Sequence, residues 1–263
     1  MTNDLLLLDS ITDADEKARG GVVLSGSHGG LYPAALASRA GLRAVMFHDA
    51  GIGFERAGVA GVLALAGVGM AAVGFNGCRI GSASDALEKG TISVANDVAG
   101  GLGIEAGMTV TEAGRRLAEA PVPPGVLPPV EESRRCARLE PNGPEVWLLD
   151  SASLVRPEDA GAIVITGSHG GIIGGDPKRA LKARARIAVF NDAGVGAEGE
   201  AESRLPVLDG WGVAAVLVAH DSARIGDAGS ALETGVISRI NERARDLGAA
   251  AGVGLEAWLR EIA

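Results

Sequence analysis

Two cysteines, Cys78 and Cys136, are all that the chain holds, which excludes a disulfide framework in so long a sequence. Basic residues are outnumbered, 24 against 33 acidic ones, for a net charge of −9. No basic cluster of useful length occurs, so no extended nucleic-acid-binding face is expected. No targeting signal is expected either. Met1-Thr-Asn-Asp is acidic where a secretory signal would be basic, and Leu5–Leu8 is too short for its apolar region. A cytoplasmic location is therefore expected. Aromatic residues make up only 3%, while apolar residues at 47% and charged residues at 22% give the ordinary balance of a folded soluble chain. What is abundant is glycine, 40 of 263 residues, about twice the usual share. It follows no G-X-Y period, which excludes collagen, and it falls among apolar runs.

The chain contains one long unit twice. GVVLSGSHGG (Gly21 to Gly30) matches GAIVITGSHGG (Gly161 to Gly171), and FHDAGIG (Phe47 to Gly53) matches FNDAGVG (Phe190 to Gly196). CRIGSASDALEKGTISVAN (Cys78 to Asn96) matches ARIGDAGSALETGVISRIN (Ala223 to Asn241), and LLLLDS matches VWLLDS. The offset drifts from 141 at His28/His169 to 143 at Asp49/Asp192 and 145 at Arg79/Arg224. This is the signature of a duplicated domain-sized unit. It also answers a question raised by the apolar stretch from Ala57 to Phe75, long enough to span a bilayer. The twin of that stretch carries Glu202, Arg204, Pro206 and Asp209, so both read as a small helix, a turn and a buried strand, with no membrane partner.

Seven of the eleven prolines lie between Ala120 and Glu145, and proline disfavours helix interiors and central strands. The expected organisation is a first α/β repeat over 1–119, an extended Pro-rich linker over 120–145 and a second α/β repeat over 146–263. In each repeat, β-branched runs (Val22–Leu24, Arg43–Phe47 and Ala71–Phe75; Ile163–Ile165, Ile187–Phe190 and Ala214–Ala219) alternate with Ala- and Leu-rich segments. The fold class that follows is α/β, two tandem homologous domains with mainly parallel sheets, related by a pseudo-twofold. Ser84–Leu102 and Ser230–Leu247 read as the best helices, each opening on a capping serine.

Ligands in parallel α/β sheets bind at the carboxyl ends of strands, and the repeated polar motifs fall there. Candidate catalytic residues are His169, Asp192 and Ser168, with His28, Asp49 and Ser27 as their twins. Candidate binding residues are Gly170, Gly171, Gly194, Arg224, Asp227, Asp150, Ser151 and Arg79. Each has a structural alternative: serine as a helix cap, glycine as a tight turn, aspartate in an Asx turn, arginine fastened to a carboxylate. Arg79 reads as structural and Arg224 as binding. Ser93/Ser238 and Asn96/Asn241 read as one face of a helix that satisfies buried backbone groups.

The halves also differ. His48 becomes Asn191, Phe75-Asn76-Gly77 becomes His220-Asp221-Ser222, and Ser82 becomes Asp227, so the second half holds the denser polar set. Gly194-Val-Gly-Ala-Glu-Gly199 has the G-x-G-x-x-G form, but Arg56 replaces the third glycine in the twin and Glu198, Glu200 and Glu202 would repel a pyrophosphate. There is no Walker A sequence. His28, His48 and Asp49 are good metal-ligand types without an HExxH or CxxC spacing, so no cofactor is expected, a divalent metal being the lesser alternative.

These residues suggest a small-molecule hydrolase acting on the C–N bond of an amide or cyclic amide that bears an anionic group. His169 or His28 would be the general base, oriented by Asp192 or Asp49. Ser168, Ser27 or a water would attack, glycine-turn amides would hold the oxyanion and Arg224 the anionic end. The alternatives are an isomerase, racemase or lyase that abstracts a proton next to a carboxylate, and a non-catalytic small-anion sensor. Mean hydropathy of +0.22 and Ala/Gly-faced helices such as Ala57–Gly69 suggest a homo-oligomer.

Overall fold

The computed structural model describes residues 5–139, 143–195 and 201–262. Contacts divide the chain into two units, Met1–Ile52 with Arg56–Glu131, and Gly53–Glu55 with Glu132–Ala263.

The first unit runs β1 (Leu5–Leu8), β2 (Val22–His28), α1 (Leu31–Arg39), β3 (Ala44–His48), α2 (Ala60–Ala64), β4 (Ala71–Asn76), α3 (Ala83–Lys89), β5 (Thr91–Ala95), α4 (Asp97–Gly100) and α5 (Val110–Leu117). Its five-stranded sheet has the order β1-β2-β3-β4-β5, parallel except for antiparallel β5. Because successive side chains of a strand point to opposite faces, Val22, Leu24 and Met46 join one core with α3 and α5. Val23, Val45 and Phe47 join another with α1 and α2. Both faces are covered, which is why β2, β3 and β4 open on apolar runs such as Val22–Leu24 and Ala44–Phe47.

The second unit runs β6 (Arg134–Arg138), β7 (Glu145–Leu149), β8 (Ile163–His169), β9 (Ile187–Asn191), α6 (Arg204–Gly210), β10 (Ala214–Val218), α7 (Ala228–Thr234), β11 (Ile237–Ile240), α8 (Glu242–Asp246) and α9 (Leu255–Glu261). Its order is β11-β10-β9-β8-β7-β6, with β6 and β11 antiparallel to their neighbours and the rest parallel. Trp258 of α9 is buried in the core on one face, its indole N–H donating to the Leu247 carbonyl (3.1 Å). Phe190, Leu205 and Leu217 build the core on the other.

Three sequence expectations are corrected. The segments Ser84–Leu102 and Ser230–Leu247 are not single helices: each is a short helix, a strand and another short helix. Gly90 and Gly235 end the first helices where a Cβ would collide with the carbonyls of Ala86 and Ala231, and the β-branched runs that follow pair with β4 and β10. The helix caps are Ser82 and Asp227 instead of Ser84 and Ser230. Ser93 and Ser238 therefore lie on strands, and Asn96 and Asn241 cap α4 and α8. The 120–145 stretch also contributes a strand, β6, which pairs with β7 and sets Arg134 over the Trp147 ring (4.2 Å) and onto Asp159 (2.8 Å). Pro141 lies outside the described residues.

Among the described residues no helix is long and apolar enough to cross a membrane.

Candidate active site

The loops that leave the parallel strands are tied to one another by side chains. Asp9 Oδ1 accepts the Ala83 N–H (2.8 Å) at the start of α3, and Asp150 Oδ1 accepts the Ala228 N–H (3.2 Å) at the start of α7. Asp150 Oδ2 takes the Ser133 N–H as well (2.7 Å). Ser27 Oγ accepts from Ile11 (3.0 Å) and Ser168 Oγ from Ala152 (2.9 Å). Ser151 caps the turn that starts at Ala152. These groups satisfy backbone donors at loop starts, a structural use of residues also considered for catalysis or binding.

His48 and Asn191 show how two different side chains fill one role. His48 Nδ1 accepts the Ala50 N–H (3.0 Å), and its Nε2 donates to the Cys78 carbonyl (3.1 Å). Asn191 Oδ1 accepts the Ala193 N–H (2.8 Å), and its Nδ2 donates to the Ala223 carbonyl (3.1 Å). One acceptor and one donor are required, so His48 is the Nε2–H tautomer. His28 is similar in part: its Nδ1 accepts the Gly30 N–H (3.2 Å), leaving the proton on Nε2. Burial, and then the nearby His48, push the His28 ring down to about 4. It is neutral at physiological pH, with its accepting nitrogen occupied.

These bonds hold a strained turn. Ala50, Gly51 and Ile52 have φ of +49°, +69° and +63°, and Ala193, Gly194 and Val195 have +49°, +84° and +35°. The turns close through Ile52 N–H to Asp49 O (2.8 Å) and Val195 N–H to Asp192 O (2.9 Å). Alanine, isoleucine and valine rarely adopt positive φ, and such outliers concentrate at functional sites. Asp49 and Asp192 brace the turns from inside by accepting the N–H of Gly51 (2.9 Å) and Gly194 (3.1 Å).

The two aspartates diverge beyond that point. Asp49 Oδ2 accepts from the Asn76 amide (3.1 Å). Asp192 Oδ1 accepts both the His220 N–H (2.9 Å) and, at 3.0 Å, the His220 Nδ1. Asp192 is buried, and the His220 side chain is 31% exposed. Burial alone would raise the Asp192 carboxyl. Hydrogen bonds from the side chains of His220 and Ser238 and from the Gly194 and His220 amides outweigh it and hold the carboxyl below its ordinary value. An ionised aspartate on Nδ1 fixes the imidazole with its proton on that nitrogen and makes Nε2 the basic atom. The Phe54 N–H donates to the His220 carbonyl (2.7 Å).

No protein-family model, curated protein or solved structure matches this chain.

The structure thus brings Asp192 to His220, whereas His169, the residue first expected to be its partner, is buried with 6% exposure at the end of β8. His220 was legible only as one of the polar differences between the halves. Its alignment with Phe75 is corrected too, because Phe75 lies opposite His48 as Val218 lies opposite Asn191. The two-residue insertion falls between Val218 and Ala223, and it carries His220 out to the strand end.

Arg224 donates from Nε and Nη2 to Asp227 (3.0 and 2.8 Å) and from Nη1 to Glu55 (2.8 Å). Asp227 also caps α7. Arg79 leans on Asp85 (3.6 Å), which accepts the Arg79 N–H (2.7 Å). Both arginines are fastened to carboxylates, and the charge of Arg224 is already matched by Asp227 and Glu55. The Gly170 N–H donates to the Asn191 carbonyl (2.9 Å), and a Cβ at Gly170 would strike Leu217 and the Ala201 carbonyl. Gly170 and Gly194 thus spend their amides internally, and Gly171 follows in the same turn.

Arg204, noted in sequence only as a charge, is 3% exposed, donating to the carbonyls of His169 (3.2 Å), Arg179 (3.1 Å) and Ala180 and stacking on Phe190 (4.9 Å). Burial, then Arg179, lower it to about 10, still protonated at neutral pH. The G-x-G-x-x-G match and its glutamates (Gly196, Glu198, Gly199, Glu200) lie outside the described residues. Among the described residues, no group of three or more His, Cys, Asp or Glu side chains is placed to hold a metal ion.

Proposed function

We propose that this chain is a small-molecule hydrolase of C–N bonds, acting on an amide or cyclic amide, with His220 as general base and Asp192 as its orienting carboxylate. One observation carries this reading: the 3.0 Å contact between His220 Nδ1 and a buried, ionised Asp192 beside a strained turn at the strand ends. His220 Nε2 takes a proton from water as the water oxygen bonds to the carbonyl carbon. The imidazolium then returns that proton to the leaving nitrogen as the C–N bond breaks, giving a carboxylic acid and an amine. Water is preferred to Ser168 as the nucleophile because Ser168 Oγ is engaged by the Ala152 N–H.

The anionic substituent first expected on the substrate has less support, since Asp227 and Glu55 already neutralise Arg224. The same reading takes the two units as copies of one ancestral unit, of which the second carries the imidazole and the first carries Asn76.

Incubating the full chain with a panel of neutral and carboxylate-bearing small amides and cyclic amides in deuterated water, followed by proton NMR, tests this. Ring opening or amine release above one product per chain supports hydrolysis. Deuterium entry next to a carboxylate without bond cleavage would instead assign the dyad to proton abstraction.

A further inference from the structure

The two sheets end differently at matching strands. LLLLDS, which holds β1, and VWLLDS, which holds β7, align residue for residue. Leu5 and Val146 take the same place in the ladder, opposite Val22 and Ile163. In the second unit β6 lies antiparallel on the outer edge of β7, with Ala137 opposite Val146. Ala137 and Leu139 thereby join the core on the α7 and α9 face, and Leu148 is 2% exposed. In the first unit the sheet ends on β1, with no strand beyond it among the described residues. Leu7, which matches Leu148, is 42% exposed.

Beside β1, where the second unit has Ala137 and Leu139, the first has an open groove of about 330 Å³. It is lined by Leu5, by Leu87 of α3, and by Thr111, Gly114, Arg115 and Ala118 along α5 and just past its end. Proteins protect an open edge strand with charged residues, proline or a bulge. β1 has none of these: it is four leucines in unbroken register against β2.

An occupant of this edge has to run antiparallel, as β6 does on β7, bring an apolar side chain opposite Leu5 and put no charge opposite Leu6 or Leu7. β1 itself meets all three conditions. Leu5 and Leu7 share one face of the strand, so a protruding leucine stands two residues from the groove. A twofold axis at Leu6 sets Leu6 opposite Leu6 of a second copy, and Leu7 of each copy opposite Leu5 of the other. Each protrusion then meets the other copy's groove.

We propose that this chain forms a twofold dimer by antiparallel pairing of β1 with β1 of a second copy, seating Leu7 of each copy in the groove beside Leu5 of the other. The dimer does not depend on the proposed reaction.

Sedimentation velocity of the full chain over a wide concentration range, with backbone hydrogen exchange of Leu5–Leu8, tests this. The parent should sediment as a dimer with slowly exchanging β1 amides. Leu7→Lys should give a folded monomer whose β1 amides exchange faster. Leu31→Lys, at a leucine of α1 that is 50% exposed, should leave the dimer intact. If Leu7→Lys does not fold, Leu7→Thr should raise the dimer dissociation constant about tenfold or more. In the Cys136→Ser chain, Leu6→Cys should give a disulfide-linked dimer on oxidation, because opposed residues of an antiparallel pair stand within disulfide reach. Leu8→Cys, displaced along the strand from its mate, should not. A dimer unweakened by the folded Leu7 variant, or one that fails to link through position 6, would overturn the proposal. So would a monomeric parent: slow β1 amides would then mean that a segment of the chain itself covers the edge, and fast ones that the edge is left to a different protein.

Discussion

Asp192 holds His220 twice with one oxygen, at 2.9 Å from the backbone N–H and 3.0 Å from ring Nδ1. The backbone contact fixes where the residue starts and the ring contact fixes how the imidazole turns, so a buried carboxylate sets both the position and the tautomer of a partly exposed base.

Replacing that carboxylate by its amide tests the relationship without a change of volume. Asp192→Asn can still accept from Gly194, but it brings no negative charge to the imidazolium. We expect turnover on a substrate found in the amide panel to fall by about 10²-fold or more, with a melting temperature within a few degrees of the parent. Full activity in this variant would remove Asp192 from the mechanism.

His28 predicts a pH dependence of stability. Its ring sits at about 4 in the folded chain against an ordinary 6.5. The unfolded chain therefore binds the proton more readily, and stability falls as pH falls. The His28 contribution is complete above pH 6.5 and is lost progressively between 6.5 and 4. Asp192, whose folded value lies below the usual carboxylate value, gives stability that is present above the ordinary range and lost only at lower pH. Urea unfolding at pH 7, 5.5 and 4.5 should show a shallower decline for His28→Asn than for the parent. Parallel declines would refute the assignment.

His48 and Asn191 make the same two hydrogen bonds, so His48→Asn should be tolerated. It gives up the edge contact with Phe75 (5.7 Å between centroids), and the expected cost is about 1 kcal/mol. His48→Leu removes the bonds made to the buried Ala50 N–H and to the Cys78 carbonyl and should cost about 2–4 kcal/mol. Chemical denaturation of the two variants side by side measures this, and equal stabilities would contradict it.

Gly26 and Gly167 have no room for a methyl group. A Cβ on Gly26 would lie 2.6 Å from the Ser82 nitrogen and 2.7 Å from the Asp9 carbonyl, and on Gly167 2.5 Å from the Asp227 nitrogen and 2.6 Å from the Asp150 carbonyl. Neighbouring strand ends and helix starts meet there through backbone. Gly167→Ala should destabilise by about 3 kcal/mol or more, read from the unfolding midpoint, whereas Gly67→Ala, with nothing within 4 Å, should change little.

Parallel strands were legible through apolar starts such as Ile163–Ile165, which are buried on both faces. The antiparallel strands β5 and β11 were not. Each is four or five residues long and follows an alanine-containing helix after one or two residues, the first a glycine, so the run reads as one helix until the lack of room for a Cβ at Gly90 and Gly235 is seen. The site was half legible. Repetition of Asp49 and Asp192 marked the DAGxG turns, which the two aspartates brace, and the strain at Ala50 and Ala193 gives a reason for the repetition. The partner was not marked, because His220 has no histidine twin and lies 28 residues from Asp192, joined to it only through the pairing of β9 with β10. Arg224 reads in sequence as a binding residue, with pairing to a carboxylate such as Asp227 as the structural alternative. The structure closes both Asp227 and Glu55 on it, and Glu55 is too distant in sequence for that contact to be read.

The most direct test of the central claim is the kcat of His220→Gln against the parent chain on the same amide, with His28→Asn measured beside it. We expect His220→Gln to lose about 10²–10⁴-fold while remaining folded, and His28→Asn to keep most of its turnover. Parental turnover in His220→Gln would contradict the assignment of His220 as the base.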